Sequence, residues 1–239
     1  MKAICNVSIA ALRETPSEQS EMVNQMLFGE SCDILEEQKN WAKIQMHFDN
    51  CEGWISTKQI QHVSDEYLAT RNTNFITKNY VSVLFNHEKM LLSLGSEVDV
   101  PVKESKRSAN LRESIVLTAK EFLNVPYLWS GKSFFGIDCS GLMQLVYKIH
   151  EIKLPRNACQ QAEIGEPLTF VEESLPGDIA FFENTEGKIV HVGMMLENQQ
   201  IIHASGKVRI DILDSTGIYN QELKEYTHKL RFVKRILND

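Results

Sequence analysis

The chain has 239 residues, of which 43% are hydrophobic and 24% are charged. This balance is that of a folded globular protein and excludes a largely disordered chain. The 32 acidic and 25 basic residues give a net charge of −7, and no block of lysine and arginine stands out, so no nucleic-acid partner is expected.

No segment of the sequence indicates export or a membrane span. The N-terminus, MKAICNVSIAALRETPSEQ, has no apolar region of secretory length and no cleavage-like site. No later segment reaches the roughly 20 apolar residues that a membrane helix needs. The five cysteines form no framework spacing and no CxxC pair, which indicates reduced thiols. We therefore expect a cytoplasmic protein with no membrane partner, unless an N-terminal segment is missing, and the oligomeric state stays open.

Residues 4–62 contain short apolar alternations separated by polar, turn-like clusters. Runs such as CNVSIAAL, CDILEEQ and WAKIQM are typical of the strands of a small all-β barrel. The stretch that begins with LRETPSEQSE, and continues through an FGE turn and Trp41 to a closing Gly-Trp pair, resembles the bacterial Src-homology-3-like (SH3-like) domain. The resemblance implies an SH3-like barrel over residues 1–62.

The next region, residues 63–105, is less regular. Its segments TNFITKNYVSVLFN and KMLLSLGSEVDV indicate strands around polar turns. Two alternatives stay open for this region. It is either a second, shortened SH3-like barrel or a linker sheet.

A second domain is expected over residues 106–239, where the sequence pattern changes. Apolar residues recur at helical spacing in LRESIVLTAKEFL, and Pro126 is expected to end this helix. A second helix, DCSGLMQLVYKIH, has Asp138 at its N-cap position and is followed by apolar runs of strand length. Helices followed by strands predict an α+β domain with an antiparallel sheet packed on the helix that carries Cys139.

Three residues of this domain could form a nucleophilic site. Cys139 lies at the start of a helix, where unpaired N–H groups and a partial positive charge favour a thiolate. His191 and His203 lie on strands that ENQ joins as a hairpin, so both imidazoles are expected near one end of the sheet. A thiol nucleophile needs a base to take its proton and a third group to orient that base. The three residues supply one group for each role.

Each of these residues also has a plainer interpretation. A cysteine at a helix start is often buried filler, and a lone histidine on an apolar strand is often an ordinary core or surface residue. The same three side chains could instead hold a catalytic zinc ion, for which three protein ligands suffice. No metal or other cofactor is expected, because the sequence shows no supporting pattern around such ligands.

Four separated segments favour the catalytic interpretation. PYLWSGKSFFGIDCSGLMQLVY, LPGDIAFF, KIVHVGMML and IIHASGKVRID occur in the order found in the NlpC-type papain-like cell-wall endopeptidases, which the chain resembles over roughly residues 110–236. With barrel domains in front, it looks most like the members that recycle murein peptides. The resemblance implies that Cys139 is the nucleophile, His191 the general base and then acid, and His203 the orienting third group.

The same resemblance implies a substrate site around the nucleophile. Tyr127 would place its phenol near the developing oxyanion, and Trp129 would form a wall of the pocket. Asp138 would bind the free α-amino group of an N-terminal L-alanine, with Ser140 beside it, and Glu21 of the barrel would close the amine pocket. Ordinary roles stay open for Trp129 as a core residue, Asp138 as a helix cap and Glu21 as a solvated carboxylate.

The sequence departs from the family pattern at three positions. Cys51 stands where relatives usually carry a tyrosine, and Asn157 and Ala158 stand where they usually carry aspartate and serine. These changes remove polar groups from the pocket. They leave the preferred diamino acid open.

The resemblance implies hydrolysis of the γ-D-Glu to diamino-acid bond, with lysine or diaminopimelate as the diamino acid, in free murein peptides with an unblocked N-terminal L-Ala. The predicted partners are therefore small murein-derived peptides. Two alternatives stay open: a non-catalytic murein-peptide binding protein, and a papain-like amidase or acyltransferase that attacks another carbonyl. A non-catalytic relative would be free to lose one of the three reactive residues. None is lost, which favours an enzyme.

Overall fold

The computed structural model describes residues 1–101 and 110–237, which form two compact units. Among these residues, the first unit comprises 1–101 and 128–136, and the second comprises 110–127 and 137–237. The domain boundary expected near residue 106 lies outside the described residues. No helix in the described ranges is long and apolar enough to cross a membrane.

The first unit consists mainly of short antiparallel strands. Its elements up to residue 101 are, in chain order, β1 Lys2–Cys5, β2 Ile9–Arg13, β3 Met22–Leu27, β4 Ser31–Gln38, β5 Trp41–Met46, β6 Glu52–Ser56, a 3₁₀ turn Thr57–Gln59, β7 Ile60–Val63, α1 Asp65–Thr70, β8 Asn74–Phe75, β9 Tyr80–Phe85, β10 Glu88–Ser93 and β11 Glu97–Val98. Strands β1 to β7 form one sheet in the order β3-β2-β6-β5-β4-β1-β7. Every second residue of β5 is buried, because successive side chains of a strand point to opposite faces. The all-β character predicted for the N-terminal part is confirmed.

The strands expected in residues 63–101 are present as two small sheets. Strand β9 pairs with β10, and β8 pairs with β11. The ring of Phe85 packs edge-on against Phe28, with centroids 5.2 Å apart, and the N–H of Glu97 donates to the Phe28 carbonyl. The two small sheets therefore pack within the first unit. The assignment of residues 63–105 as a domain of their own stays a prediction.

A buried ion pair anchors residues 128–136 in the first unit. The Nζ of Lys132 donates to both carboxylate oxygens of Glu30, at 2.9 and 3.0 Å, and both side chains are about 1% exposed. The backbone N–H of Lys132 donates to Oε1 of Gln25 at 2.7 Å. Because a buried charge is costly unless it is paired, this pair fixes the position of the segment that carries Trp129.

The second unit has helices first and strands afterwards. The remaining elements of the chain are α2 Leu111–Lys120, β12 Lys132–Ser133, β13 Gly136–Ile137, α3 Cys139–Lys148, α4 Ala158–Gln161, β14 Glu166–Pro167, a 3₁₀ turn Val171–Glu173, β15 Ile179–Glu183, β16 Ile189–Met195, β17 Gln200–Ser205, β18 Lys207–Leu213, β19 Gly217–Asn220 and β20 Glu225–Arg235. Helix α2 ends earlier than predicted. Residues 121–125 continue in tighter turns before Pro126. The N–H groups of residues 121, 122, 123 and 125 donate to the third residue back, whereas that of Asn124 donates to the carbonyl of Val208.

Six strands of the second unit close into a barrel. They are hydrogen-bonded in the order β20-β15-β16-β17-β18-β19, and β19 pairs again with β20. Helix α3 lies against β16 and β17. The α+β architecture is confirmed, with an antiparallel sheet packed on the helix that carries Cys139.

The PGD segment has a structural role at the start of this barrel. The fully buried carboxylate of Asp178 accepts hydrogen bonds from the guanidinium groups of Arg112 and Arg235, and from the N–H of Leu175. Gly177 has a φ of +92°, in the region that favours glycine. The segment therefore connects helix α2 to strand β20 through one buried carboxylate.

Candidate active site

The two predicted histidines lie on adjacent strands and contact each other. His203 on β17 pairs with Gly193 on β16, and His191 lies two residues before Gly193, on the same face of the strand. Nε2 of His191 lies 2.9 Å from Nδ1 of His203. Both rings are buried, so the hairpin predicted around ENQ does bring the imidazoles together.

A carboxylate that the sequence analysis missed extends this pair. Nε2 of His203 lies 3.0 Å from Oδ2 of Asp211 on β18, and that oxygen also accepts from Nε of Arg209 at 2.7 Å. Burial raises the pKa of Asp211, but the hydrogen bonds from His203 and Arg209 outweigh it and hold the pKa below its usual range. Asp211 occupies a buried position in step with Leu213 on β18, which the sequence does not reveal because burial at this position depends on strand order.

This chain of contacts determines which nitrogen of each ring carries a proton. An ionised Asp211 only accepts hydrogen bonds, so His203 donates through Nε2–H. Nδ1 of His203 then accepts the Nε2–H of His191. The free lone pair of His191 is therefore on Nδ1. This nitrogen can act as the base that accepts the proton of a nucleophile.

Cys139 lies beside the strand of His191. It is the first residue of helix α3, which lies against β16. The backbone N–H groups of Val192 and Ser140 donate to its sulfur. The nucleophile candidate is therefore in contact with the residue that follows the base candidate.

Burial sets the resting protonation of this pair. It raises the pKa of the Cys139 thiol to about 12, and the charge of Asp138 raises it further. It also lowers the pKa of His191 well below the ordinary value of 6.5, and His203 and His228 act in the same direction. The resting pair is a neutral thiol and a neutral imidazole. The thiolate expected from the helix start alone is not favoured, because the cost of burying its charge is larger.

Gly193 allows the two histidines to approach. A Cβ atom at this position would lie 2.9 Å from Cβ of His203 and 2.8 Å from Cδ1 of Ile201. Contacts this short force one of the partners to move. The glycine of the HVG segment therefore makes room for the ring that orients His191.

We expect Gly193→Ala to lower kcat/KM by at least about 10-fold, because a displacement of about 1 Å in a catalytic group has large effects on rate. Kinetics and melting temperature are measured together. Gly187→Ala is the control, because its Cβ lies in an exposed turn and meets only Glu183, at 3.9 Å. The positive φ at this position makes the alanine cost about 1 kcal/mol of stability. We expect no effect on the rate. Wild-type kinetics in the Gly193 variant would show that the close approach is not needed.

Asp138 caps helix α3 and pairs with an arginine that sequence reasoning missed. Its Oδ1 accepts the N–H of Gly141 at 2.6 Å, and the guanidinium of Arg156 binds both carboxylate oxygens, at 3.0 and 2.6 Å. The hydroxyl of Ser140 lies between them, 3.3 Å from Asp138 Oδ1 and 3.0 Å from Arg156. An ammonium group would have to share this carboxylate with a buried arginine. Binding of substrate by Asp138 and Ser140 stays a prediction.

We expect Asp138→Asn to destabilise the protein by about 3 kcal/mol, because it breaks a buried ion pair in which Arg156 binds both carboxylate oxygens. The free energy of unfolding is measured by denaturant titration. Asp33→Asn is the matched control, since it removes a carboxylate paired with Lys2 at a partly exposed site, where such pairs contribute little. Equal stability losses in the two variants would contradict the structural role assigned to Asp138.

Tyr127 lies near Cys139 and Asp138. Burial is the main cause that raises the pKa of Tyr127 to about 12, and the charge of Asp138 acts in the same direction. The phenol is therefore a hydrogen-bond donor at neutral pH. This is the form needed at an oxyanion, although that role stays a prediction.

Trp129 and Glu21 form a pair within the first unit. The indole Nε1 of Trp129 donates to Oε1 of Glu21 at 2.9 Å. The tryptophan is 63% exposed, so the alternative of a core residue is wrong. The contribution of either side chain to a substrate pocket stays a prediction.

Comparison with known proteins assigns the chain to a family. A model of the NlpC/P60 family matches residues 124–229, and a model of the bacterial dipeptidyl-peptidase SH3 domain matches residues 12–60. The probable endopeptidase NlpC of Escherichia coli (strain K12) is 36% identical over 106 residues, which are 41% of this chain and 68% of that protein. The chain belongs to the NlpC/P60 family of cysteine peptidases.

Two relatives of this NlpC/P60 peptidase carry the name gamma-D-glutamyl-L-lysine dipeptidyl-peptidase. The one from Bacillus subtilis (strain 168) is 40% identical over 52% of this chain, and the chain spans only 42% of its length. The one from Bacillus cereus (strain ATCC 10987 / NRS 248) is 25% identical over 90% of this chain and 76% of that protein. The crystal structure of an NlpC/P60 family protein from Bacillus cereus ATCC 10987 matches the whole of both chains with a TM-score of 0.85 at 21% identity. The predicted fold, an SH3-like region followed by an NlpC-type domain, is confirmed.

In this NlpC/P60 peptidase a third histidine, His228 on β20, lies beside His191 and His203, so the candidate zinc ligands differ from those expected from the sequence. His191, His203 and His228 each place a ligand nitrogen within 4.8 Å of the others, and Cys139 is not among them. Both nitrogens of His203 already take part in hydrogen bonds, to His191 and Asp211. A metal ion bound by all three rings would have to displace one of these hydrogen bonds. The three histidines therefore do not fit a resident metal ion.

Proposed function

We propose that this NlpC/P60 peptidase hydrolyses the bond between γ-D-glutamate and a diamino acid, lysine or diaminopimelate, in free murein peptides, and releases L-Ala-γ-D-Glu. The observation that carries the proposal is the hydrogen-bonded chain from Asp211 through His203 to His191, on the strand that contacts Cys139. The substrate class is supported by the name of the Bacillus cereus relative, which aligns with 90% of this chain.

The reaction begins with attack by the thiol of Cys139 on the γ-glutamyl carbonyl carbon. As the S–C bond forms, the thiol proton passes to Nδ1 of His191. The same proton is then given to the nitrogen of the diamino acid as the C–N bond breaks, which leaves a thioester. Water attacks the thioester with His191 again as base. The products are the dipeptide carboxylate and the restored thiol.

His203, Asp211 and Tyr127 stabilise the charges that appear during these steps. The imidazolium of His191 donates through Nε2–H to His203, which is held in turn by Asp211. The carboxylate stabilises the positive charge without itself taking the proton. On the substrate side, the neutral phenol of Tyr127 supplies a donor to the oxyanion.

The requirement for a free N-terminal L-alanine belongs to the same proposal. The support is again a name, because a dipeptidyl-peptidase removes two residues from the N-terminus of its substrate. Action on free peptides rather than on the wall goes with the cytoplasmic location expected from the sequence. That location stays a prediction.

The test is a cleavage assay with L-Ala-γ-D-Glu-L-Lys, its diaminopimelate counterpart and the N-acetylated forms, with products identified by mass spectrometry. We expect release of L-Ala-γ-D-Glu from the free peptides and at least about 30-fold lower kcat/KM for the acetylated ones, because acetylation removes a charged partner from a polar site. Equal cleavage of both forms would contradict recognition of the free amine.

Other outcomes of the same assay separate the alternatives. Saturable binding without cleavage would indicate a peptide-binding protein, and transfer of the dipeptide to an added amine in preference to water would indicate an acyltransferase. Glu21→Gln is assayed in parallel, because the family resemblance implies that this carboxylate binds the amine. An unchanged ratio of free to acetylated cleavage in that variant would contradict the role of Glu21.

A further inference from the structure

The ring of His191 is surrounded by three other rings. His203 lies edge-on to it, with centroids 5.1 Å apart and an interplanar angle of 86°. Phe182 lies at 5.7 Å and 49°. His228 is stacked on it, with centroids only 4.1 Å apart and an angle of 26°. The stacked contact is the closest of the three.

Closure of the barrel brings His228 to this position. On β20, His228 lies two residues before Leu230, which packs against the core cluster of the barrel, and both residues lie on the same face of the strand. Strand β20 pairs with β15 on one side, where Phe182 faces Leu230, and with β19 on the other. The hydroxyl of Thr227 lies 2.8 Å from Nδ1 of His228, which limits rotation of the ring.

One hydrogen bond cannot orient an imidazole fully. The contact between His191 Nε2 and His203 fixes one edge of the ring, but the ring can still tilt about that point. Tilting would move Nδ1 away from the position at which it receives a proton. A flat side chain stacked on the ring prevents this movement, because a tilted ring would collide with it.

We propose that His228 is a positioning residue that holds the ring of His191 flat against it, so that Nδ1 points toward the thiol of Cys139. The proposal rests on the proposed function in one respect, that His191 is the base. Burial lowers the pKa of His228 to about 4. The stacked ring is therefore neutral at neutral pH, where it adds no positive charge beside a protonated His191.

Several titratable or charged groups lie on the strands and helices around His191. They are Glu183 on β15, His203 on β17, Asp211 and Arg209 on β18, His228, Lys229 and Arg231 on β20, Cys139 with its neighbour Asp138 at the start of α3, and Cys159 on α4. Glu183 is paired with Lys229 and Arg231. Asp138 is paired with Arg156. A substitution at His228 therefore affects His191 mainly because the stacked ring is lost, and not because these ion pairs change.

The test compares His228→Ala with His228→Phe. Alanine removes the stacked surface and admits water to the face of His191, whereas phenylalanine keeps a flat ring that cannot titrate or bind a metal ion. We expect kcat to fall by about 10- to 100-fold in His228→Ala with KM changed by less than about 2-fold, and to stay within about 3-fold of wild type in His228→Phe. Tyr226→Phe is the control on the same strand, since the Tyr226 ring contacts Tyr219 and Asp214 rather than the histidines.

The pH dependence gives a readout that a purely structural role would not change. The base form of His191 is present above its pKa, which burial holds below 6.5, so activity is lost as pH falls through that lowered value. Hydration in His228→Ala should raise this acidic limit toward 6.5, and His228→Phe should keep it where it is. NMR titration of labelled histidines measures the same shift at His191 without any substrate.

Each variant can overturn the proposal by itself. Wild-type kcat and an unchanged His191 titration in folded His228→Ala would contradict it. If His228→Ala does not fold, His228→Phe decides, because a loss of more than about 10-fold or a raised acidic limit in that variant would contradict the role of the stacked ring. If wild type cleaves none of the peptides, the proposed function fails, whereas the NMR titration still decides the role of His228.

Discussion

Replacement of Cys139 by alanine is expected to lower peptide cleavage by at least about 10⁴-fold, because the atom that forms the covalent intermediate is lost. The fold should be retained. The side chain is small and buried at the start of a helix whose cap, Asp138, is unchanged. The measurement is kcat/KM on L-Ala-γ-D-Glu-L-Lys, with circular dichroism and a melting curve to show that the variant is folded.

The chain offers a matched control for this substitution. Cys159 on α4 is an exposed free cysteine, and Cys159→Ala should keep wild-type kinetics. A folded Cys139→Ala variant with more than about 1% of wild-type activity would rule out a cysteine nucleophile at this position.

Substitutions of His191 and His203 should differ in how much they lower kcat. His191→Ala is expected to lower kcat by at least about 10³-fold, because no group remains at that position to accept the thiol proton. His203→Asn should retain more activity, with a loss of about 10- to 100-fold, because the asparagine oxygen can still accept the Nε2–H of His191. The measurement is kcat for both variants on the same substrate at several pH values.

His87→Asn is the control for the second of these variants. His87 lies in an exposed turn with a φ of 68°, a conformation that asparagine tolerates, so its kinetics should match wild type. If the losses in His191→Ala and His203→Asn were equal, the separate roles of base and orienting group would be wrong.

The hairpin that carries the catalytic histidines could be predicted because its information is local. Alternating apolar residues on both sides of ENQ define two strands, and a short turn between them fixes that they are neighbours. His191 and His203 then lie on one face near one end. The cysteine helix could be predicted for the same reason, since Asp138 at the N-cap and the apolar spacing that follows are both local signals.

Asp211 and His228 could not be placed in this way, because their contacts depend on strand order. Asp211 reaches His203 only because β18 pairs with β17 in a register that puts Arg209 opposite His203. His228 reaches His191 only because the barrel closes through β20. A charged or polar residue on an alternating strand indicates a solvent-facing side chain until that closure is known.

Arg156 and Lys132 show a different limit of sequence reasoning. Each forms a buried ion pair with a carboxylate far along the chain, Arg156 with Asp138 and Lys132 with Glu30. A single arginine or lysine between apolar segments usually indicates solvent exposure. Only the packed structure shows that these two charges are enclosed.

The protonation state of Cys139 also depended on packing. The helix start favours a thiolate by its partial positive charge, and this effect can be inferred from sequence. The effect of burial, which raises the pKa of the thiol to about 12, cannot be inferred from sequence. The neutral pair follows from the larger of the two effects, and it makes His191 an essential proton acceptor during attack rather than a permanent counter-ion.

Covalent catalysis by Cys139 can be observed in a rapid-quench experiment. Wild-type protein is mixed with L-Ala-γ-D-Glu p-nitroanilide, whose good leaving group should make formation of the thioester faster than its hydrolysis. Attack by the thiol of Cys139 predicts a burst of nitroaniline equal to the enzyme concentration, with the dipeptide attached to Cys139 in the mass spectrum of the quenched protein. Steady turnover without a burst and without any modified Cys139 would contradict it, because the carbonyl would then be attacked by water rather than by the thiol.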